Sequence, residues 1–219
     1  MDKPWLTRPN DHDFFSKEHV ARFLRNFGTG TENRGRHAIA DIVQSYGREL
    51  VVADLAGGTG VNYSVFKARG LPVKYLLIDR TKQFLEHAKE LYGDEIETRY
   101  GFIQELDMVD GSVDIAILRH IGEHIPPEEF EMAIKEALRA AKSEVIVVFF
   151  NQLTNEDEHK VEVRSSNIEG HPEITHLWNE YSYKKFVSFL ETLGLSDIQG
   201  AVISTAHAAA TDTLFRLIK

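Results

Sequence analysis

The segment Val51-Val52-Ala53-Asp54-Leu55-Ala56-Gly57-Gly58-Thr59-Gly60 constrains this chain more than any other. Its short, continuously apolar start marks a strand buried on both faces, as in a parallel sheet, and it passes straight into small residues and then a helical pattern. Ligands of open α/β sheets bind at the carboxyl ends of strands, where glycine removes the side chains that would block a nucleoside or its appended tail. A tight strand-to-helix turn also needs glycine for its backbone angles whether or not anything binds, so the loop alone does not decide function.

The rest of the chain repeats the alternation that the segment begins. Helical periodicity is read near 62–69, strand at 74–79, helix at 82–92, strands at 98–103 and 113–119, helix at 127–142 with Pro127 at its start, and strand at 144–150. Alternating elements at this spacing predict right-handed crossovers and a mostly parallel sheet with helices on both faces, an α/β fold. Two helices precede the first strand, Phe14 to Gly28 and Thr31 to Tyr46. Residues 151–180 break the rhythm: seven acids stand against Lys160 and Arg164, more than half of the chain's net charge of −9. Two-residue alternation at Val161/Val163 and Ile174/His176/Trp178 predicts a hairpin there. A helix from Tyr183 to Leu193 then leads to strands near 198–204 and 213–218 that are close enough to pair antiparallel. The organisation expected is a single domain: a helical cap over 1–48, a ligand-binding core over 49–150, a polar insertion over 151–180 and a helix with a strand pair over 181–219.

Composition narrows the partners. With 25 Lys and Arg against 34 Asp and Glu in 219 residues, a strongly cationic nucleic-acid clamp is disfavoured. The absence of cysteine removes disulfides, thiolate zinc sites and a Cys nucleophile together. Met1 to Phe15 carries Lys3, Arg8, two prolines and three Asp where a signal peptide needs an apolar stretch, and no apolar run approaches membrane-spanning length. The expectation is a soluble cytoplasmic protein with no membrane and no nucleic-acid partner.

Three loop chemistries can be tested on the letters. A nicotinamide or flavin fingerprint would use Gly58 and Gly60 and then require a small residue where Tyr63 stands. A triphosphate-binding P-loop needs Gly-Lys followed by Ser or Thr, which does not occur. What is left is a glycine loop preceded by Asp54 and followed, at the end of the next strand, by Asp79. A carboxylate emerging at that sheet edge fits a ribose diol, although an Asp in this position also serves as a helix cap.

Val51 to Gly60, then Asp79, then Val113-Asp114-Ile115-Ala116-Ile117-Leu118-Arg119-His120-Ile121-Gly122-Glu123-His124-Ile125 resemble the successive motifs of class I S-adenosylmethionine-dependent methyltransferases of the small-molecule type, over about Val51 to Phe150. The resemblance implies a Rossmann-like sheet of seven strands, six parallel and one antiparallel. It implies that Asp54, Ala56, Gly57, Gly58 and Gly60 form the loop passing the methionine and ribose portions of S-adenosylmethionine, and that Asp79 takes the ribose. Gln104 and Glu105 fall where the family meets the adenine amino group, Phe102 and Ile103 flank the ring, and Arg80 either lies over it or is solvated. Ala56 departs from the family's glycine, and its methyl is harmless only if the residue keeps a negative φ.

The strand ending at Arg119 delivers Arg119 and His120 to the rim where the family places the sulfonium methyl. His120 and His124 share a helical face, but HExxH is absent and no third ligand stands at a recognisable spacing, so no metal is expected. Either histidine is a candidate base for a hydroxyl or phenol acceptor, and each also suits a structural role. His171, His176, Trp178, Tyr181 and Tyr183 are candidate neighbours of the acceptor, and Arg34 and Arg36 either meet a carboxylate of cofactor or substrate or are a solvated helix start. The reading is methyl transfer to an unidentified small molecule. The alternatives are a non-catalytic binding or scaffolding subunit of the same fold and, further off, a nicotinamide-dependent oxidoreductase.

Overall fold

The strand that runs into the glycine loop lies inside a seven-stranded sheet in the computed structural model, which describes residues 34–166, 174–204 and 211–219. The helix expected over Phe14 to Gly28, the first residues of the one expected from Thr31, and His171 lie outside the described residues, as does the His176 side chain. In chain order the elements are α1 (Arg34–Ser45), β1 (Leu50–Leu55), α2 (Val61–Ala68), β2 (Val73–Asp79), α3 (Lys82–Tyr92), β3 (Ile96–Tyr100), β4 (Val113–Arg119), α4 (Pro127–Ala140), β5 (Ala141–Phe149), β6 (Lys160–Ser166), β7 (Ile174–Glu180), α5 (Tyr183–Glu191), β8 (Asp197–Ser204) and β9 (Thr211–Ile218).

The sheet order is β3-β2-β1-β4-β5-β9-β8. β1 to β5 pair in parallel, β9 runs antiparallel between β5 and β8, and six strands therefore point one way and one the other. This is the Rossmann-like arrangement expected. The order reverses between β1 and β4, so the carboxyl ends of these two strands open the crevice where α/β sheets take ligands.

The period-two alternation of buried strands divides the core between two faces. Leu50 and Val52 of β1, Leu77 of β2 and Ile115 and Ile117 of β4 pack with Ile39 and Val43 of α1, Val65 and Phe66 of α2 and Ala88 of α3. Ala53, Leu55, Ile78, Leu118 and Val147 face Phe130, Ala133, Ile134 and Ala137 of α4 and Phe186 and Leu190 of α5. A buried ion pair joins the first layer to the sheet: Glu144 accepts from Arg216 Nε at 2.7 Å and Nη2 at 3.0 Å, and from the Tyr46 hydroxyl at 2.8 Å.

Some boundaries differ from those read in the sequence. β3 ends at Tyr100 and not at Ile103, because its ladder with β2 stops where Asp79 faces Tyr100, and Phe102 to Glu105 close a turn instead. α4 ends at Ala140 and β5 starts at once at Ala141, giving a strand three residues longer at its start than expected. The polar insertion holds the antiparallel pair β6 and β7, with Val163 opposite Leu177 and Glu162 opposite Trp178. Among the described residues no helix is long and apolar enough to cross a membrane.

Candidate active site

The glycine loop is anchored from beneath by Asp54. Its wholly buried carboxylate accepts from Asn62 Nδ2 at 3.0 and 3.2 Å and from the Tyr75 hydroxyl, tying α2 and β2 to the end of β1. Burial pushes its pKa up to about 6, against the pull of those hydrogen bonds. Asp54 also explains Gly57: a Cβ there would stand 2.4 Å from Asp54 Cγ and 2.6 Å from Leu77 Cδ1. Both oxygens of Asp54 are thus engaged by side chains of α2 and β2.

Asp79 ties the loop from the neighbouring strand. Its Oδ2 accepts the Gly58 N–H at 2.9 Å and its Oδ1 the Thr81 N–H at 2.7 Å. Burial raises its pKa, and the two backbone N–H groups and the charge of Arg80, half-exposed beside it, act in the opposite sense. Gly58 and Gly60 have φ of +59° and +73°, which favour glycine, and the space over Gly58 is open, with Phe84 at 3.9 Å the nearest atom to a Cβ. Ala56 takes φ +55°, so the negative φ that would make its methyl harmless is not what the fold adopts; its N–H donates to the Ile78 carbonyl at 2.7 Å.

After β3 the two candidate residues part. Gln104 is buried and donates from Nε2 to Glu129 Oε2 of α4 at 2.9 Å, whereas Glu105 is exposed.

Several charged side chains are buried together at the rim of β4. Arg119 Nη2 lies 3.6 Å from Asp212 Oδ2, and His120 Nε2 lies 3.1 Å from Asp212 Oδ1. Asp212 reaches them from the start of β9, which the antiparallel insertion beside β5 brings to this edge. The contact assigns the imidazole proton to Nε2, leaving the lone pair on Nδ1. Burial, then the charge of Arg119, pushes the His120 pKa down to about 4, so the ring is neutral at ordinary pH. His120 has φ +54°, the second non-glycine residue at positive φ among those described, and like Ala56 it follows the carboxyl end of a central strand. Arg36 of α1 is buried close enough to Arg119 for the two charges to repel; burial first, and that charge second, push its pKa down to about 10.

His124 sits on the next turn, with Nδ1 at 3.2 Å from the Leu177 carbonyl of β7 and its ring edge-on to Trp178 at 5.5 Å. Glu123 between the two histidines is buried. Its Oε1 accepts the Phe150 N–H at 2.7 Å, and burial raises its pKa to about 7. Among the described residues no three His, Asp or Glu side chains are grouped to hold a metal ion. Tyr181 and Asn179 are buried, and both donate to the Gly122 carbonyl at 3.0 Å, so they brace the turn that carries His124. Tyr183 is exposed on α5.

Sequence reading gave no role to Asp212, Asn62 or Tyr75, and met Glu123 only as part of the motif after β4. Nothing in Thr211-Asp212-Thr213 distinguishes that acid from a surface residue until β9 is placed next to β5.

The comparisons with known proteins bear on this geometry. Residues 52–144 match the family described as a methyltransferase domain. No curated protein resembles the chain closely enough by sequence to count as a relative. Among solved structures the fold is similar to 1,6-didemethyltoxoflavin-N1-methyltransferase of Burkholderia thailandensis, crystallised with 1,6-didemethyltoxoflavin and S-adenosylhomocysteine (14% identity, TM-score 0.69, 100% of this chain and 91% of that one). It is also similar to magnesium protoporphyrin IX methyltransferase of Synechocystis with bound S-adenosylhomocysteine (14%, 0.68, 99% and 100%), and to an S-adenosylmethionine-dependent methyltransferase of Methanosarcina mazei (16%, 0.61, 80% and 96%). Residues 52–144 thus match a methyltransferase-domain family, and the chain shares the fold of the S-adenosylmethionine-dependent methyltransferases among these structures.

Proposed function

We propose that this protein transfers the methyl group of S-adenosylmethionine to a small molecule and releases S-adenosylhomocysteine. The observation that carries the reading is the hydrogen bond from Gly58 N–H to Asp79 Oδ2, which fixes the glycine loop and the carboxylate as one unit at the switch in strand order. Each oxygen of Asp79 takes one backbone N–H and keeps a second lone pair, a disposition that suits the two hydroxyls of a ribose. The loop from Ala56 to Gly60 is assigned the amino-acid tail, for which the open space over Gly58 leaves room. Arg36, with Arg119 beside it, is assigned the tail's carboxylate, whose charge offsets the repulsion between two buried guanidiniums. Arg80 and Glu105 are assigned the adenine, with Gln104 bracing the turn that carries Glu105 through its bond to Glu129.

When bound, S-adenosylmethionine supplies a methyl already activated on a sulfonium. The protein's part is alignment, which in well-oriented systems is worth effective molarities of ~10⁵–10⁸ M. His120 is neutral, is oriented by Asp212 and presents Nδ1, the atom suited to accept a proton from the methyl acceptor. His124, whose Nδ1 faces the Leu177 carbonyl, is assigned to position the acceptor rather than to take its proton.

Titration calorimetry with S-adenosylhomocysteine tests the reading. One site per chain is expected, with no heat from NADH, and Asp79→Ala should weaken binding by about 10- to 100-fold through the loss of a charged hydrogen-bonding partner. Incubation with labelled donor and a metabolite pool should transfer label to a small molecule. Binding of NADH with no response to S-adenosylhomocysteine would overturn the reading.

A further inference from the structure

Four rings stand edge to face in series along the rim: His120 on Phe150 at 5.3 Å between centroids, Phe150 on Trp178 at 5.9 Å, and Trp178 on His124 at 5.5 Å. A wall of this kind suits a flat, rigid ligand. At its His120 end lie three side chains, each more than nine-tenths buried: Arg119 at 8% exposure, Asp212 at 1% and Glu123 at 4%. Each carries one polar atom with no hydrogen-bond partner among the described residues, namely Arg119 Nε, Asp212 Oδ2 and Glu123 Oε2. Their sister atoms are committed, Asp212 Oδ1 to His120 and Glu123 Oε1 to the Phe150 N–H. Single buried orphans are rare and costly, and three gathered at one place call for something that satisfies them. At 3.6 Å Arg119 Nη2 and Asp212 Oδ2 form an ion pair that is too long for a hydrogen bond, so Arg119 Nε keeps a donor and Asp212 Oδ2 an acceptor position to offer.

We propose that these three residues form the acceptor subsite, and that it takes a nitrogen heterocycle by a lactam edge, a ring carbonyl beside a ring N–H. The carbonyl accepts from Arg119 Nε–H and the ring N–H donates to Asp212 Oδ2. Glu123, which feels the charges of both residues, meets a further polar group of the same ring. A simple anion fits less well, because the Asp212 carboxylate would face it, and a phenol offers one polar atom where the site presents a pair. This inference rests on the methyl-transfer reading and names the class of acceptor for it.

The test uses the full chain with and without saturating S-adenosylhomocysteine, titrated with quinazoline-2,4-dione, its 1,3-dimethyl derivative and naphthalene. The dione should bind at least about tenfold more tightly than the dimethyl derivative, which keeps the shape and loses both N–H donors, and than naphthalene. Arg119→Met and Asp212→Asn should each abolish that preference. Should either variant fail to fold, the comparison of the three compounds on the unmodified protein decides alone. Equal binding of the dione and its dimethyl derivative overturns the subsite, as does a chain that takes S-adenosylhomocysteine and ignores the dione. A chain that prefers the dione but never takes S-adenosylhomocysteine supports the subsite and overturns methyl transfer.

Discussion

Ala56 holds a left-handed conformation that a non-glycine residue adopts at a cost of about 1–2 kcal/mol, and it does so in the loop assigned to the cofactor. Replacing it by glycine removes that cost but adds about 0.4–1 kcal/mol of conformational freedom to the unfolded chain. The difference predicts that Ala56→Gly stabilises the protein by about 0.5–1 kcal/mol, a rise in Tm of roughly 2 °C for a chain of this size. Thermal unfolding of the two proteins checks it; a lower Tm would mean that the alanine methyl contributes more through packing than its backbone loses. At this scale the sequence was legible where one residue type answers to one constraint. Gly57 is legible because the turn demands a missing side chain, and Asp79 because a carboxylate after a strand emerges at the sheet edge. The partners of Asp54 were not legible, since Tyr75 and Asn62 meet it only after α2 folds down over β1 and β2.

Between elements, the β6 and β7 pair does more than project from the sheet. Asn179 of β7 donates to the carbonyls of Gly122 and Ile125, and Tyr181 to that of Gly122, so the insertion clamps the turn on which Glu123 and His124 stand. Gly122 permits the close approach: a Cβ there would lie 2.9 Å from Phe130 and 3.1 Å from Phe149. Asn179→Ala takes the side-chain donor from the Ile125 carbonyl and leaves the Gly122 carbonyl to Tyr181 alone, and should cost about 1–3 kcal/mol. Because the glycine loop and Asp79 belong to β1 and β2, affinity for S-adenosylhomocysteine should stay within about twofold while denaturant unfolding shifts to lower concentration. Equal losses in stability and in affinity would show that the clamp reaches the cofactor side. The alternation of the strands made most of the elements readable, but not how they dock. Periodicity says which face of β7 is apolar, and does not say that its polar Asn179 is spent on a turn 57 residues earlier. Asp212 was hidden for the same reason, because only the sheet order carries β9 to the rim of β4.

At the scale of the molecule, charges buried together at the carboxyl edge of the sheet give folding stability a definite response to pH. Glu123 is held near 7 by burial against an ordinary value of 4.5, so between those limits the folded protein binds more protons than the unfolded chain and stability falls as pH rises. Asp54, raised to about 6 from 3.8, acts in the same direction over its own window. His120, pushed down to about 4 from 6.5, acts oppositely: there the unfolded chain holds more protons, and stability rises with pH until about 6.5. The opposed windows overlap through the mildly acidic range, and above 6.5 the fall due to Glu123 continues until about 7. Glu123→Gln keeps the shape and the acceptor for the Phe150 N–H while removing the ionisation. Its Tm should sit close to that of the parent protein at pH 5, where the parent carboxyl is protonated, and rise above it by pH 8. The gap should widen by the equivalent of at most about 3 kcal/mol, at 1.36 kcal/mol for each unit of displaced pKa. Thermal unfolding at half-unit steps of pH measures this, and a gap that stays constant from pH 5 to 8 would mean that Glu123 keeps its charge throughout and that its buried oxygen is satisfied by something other than a proton.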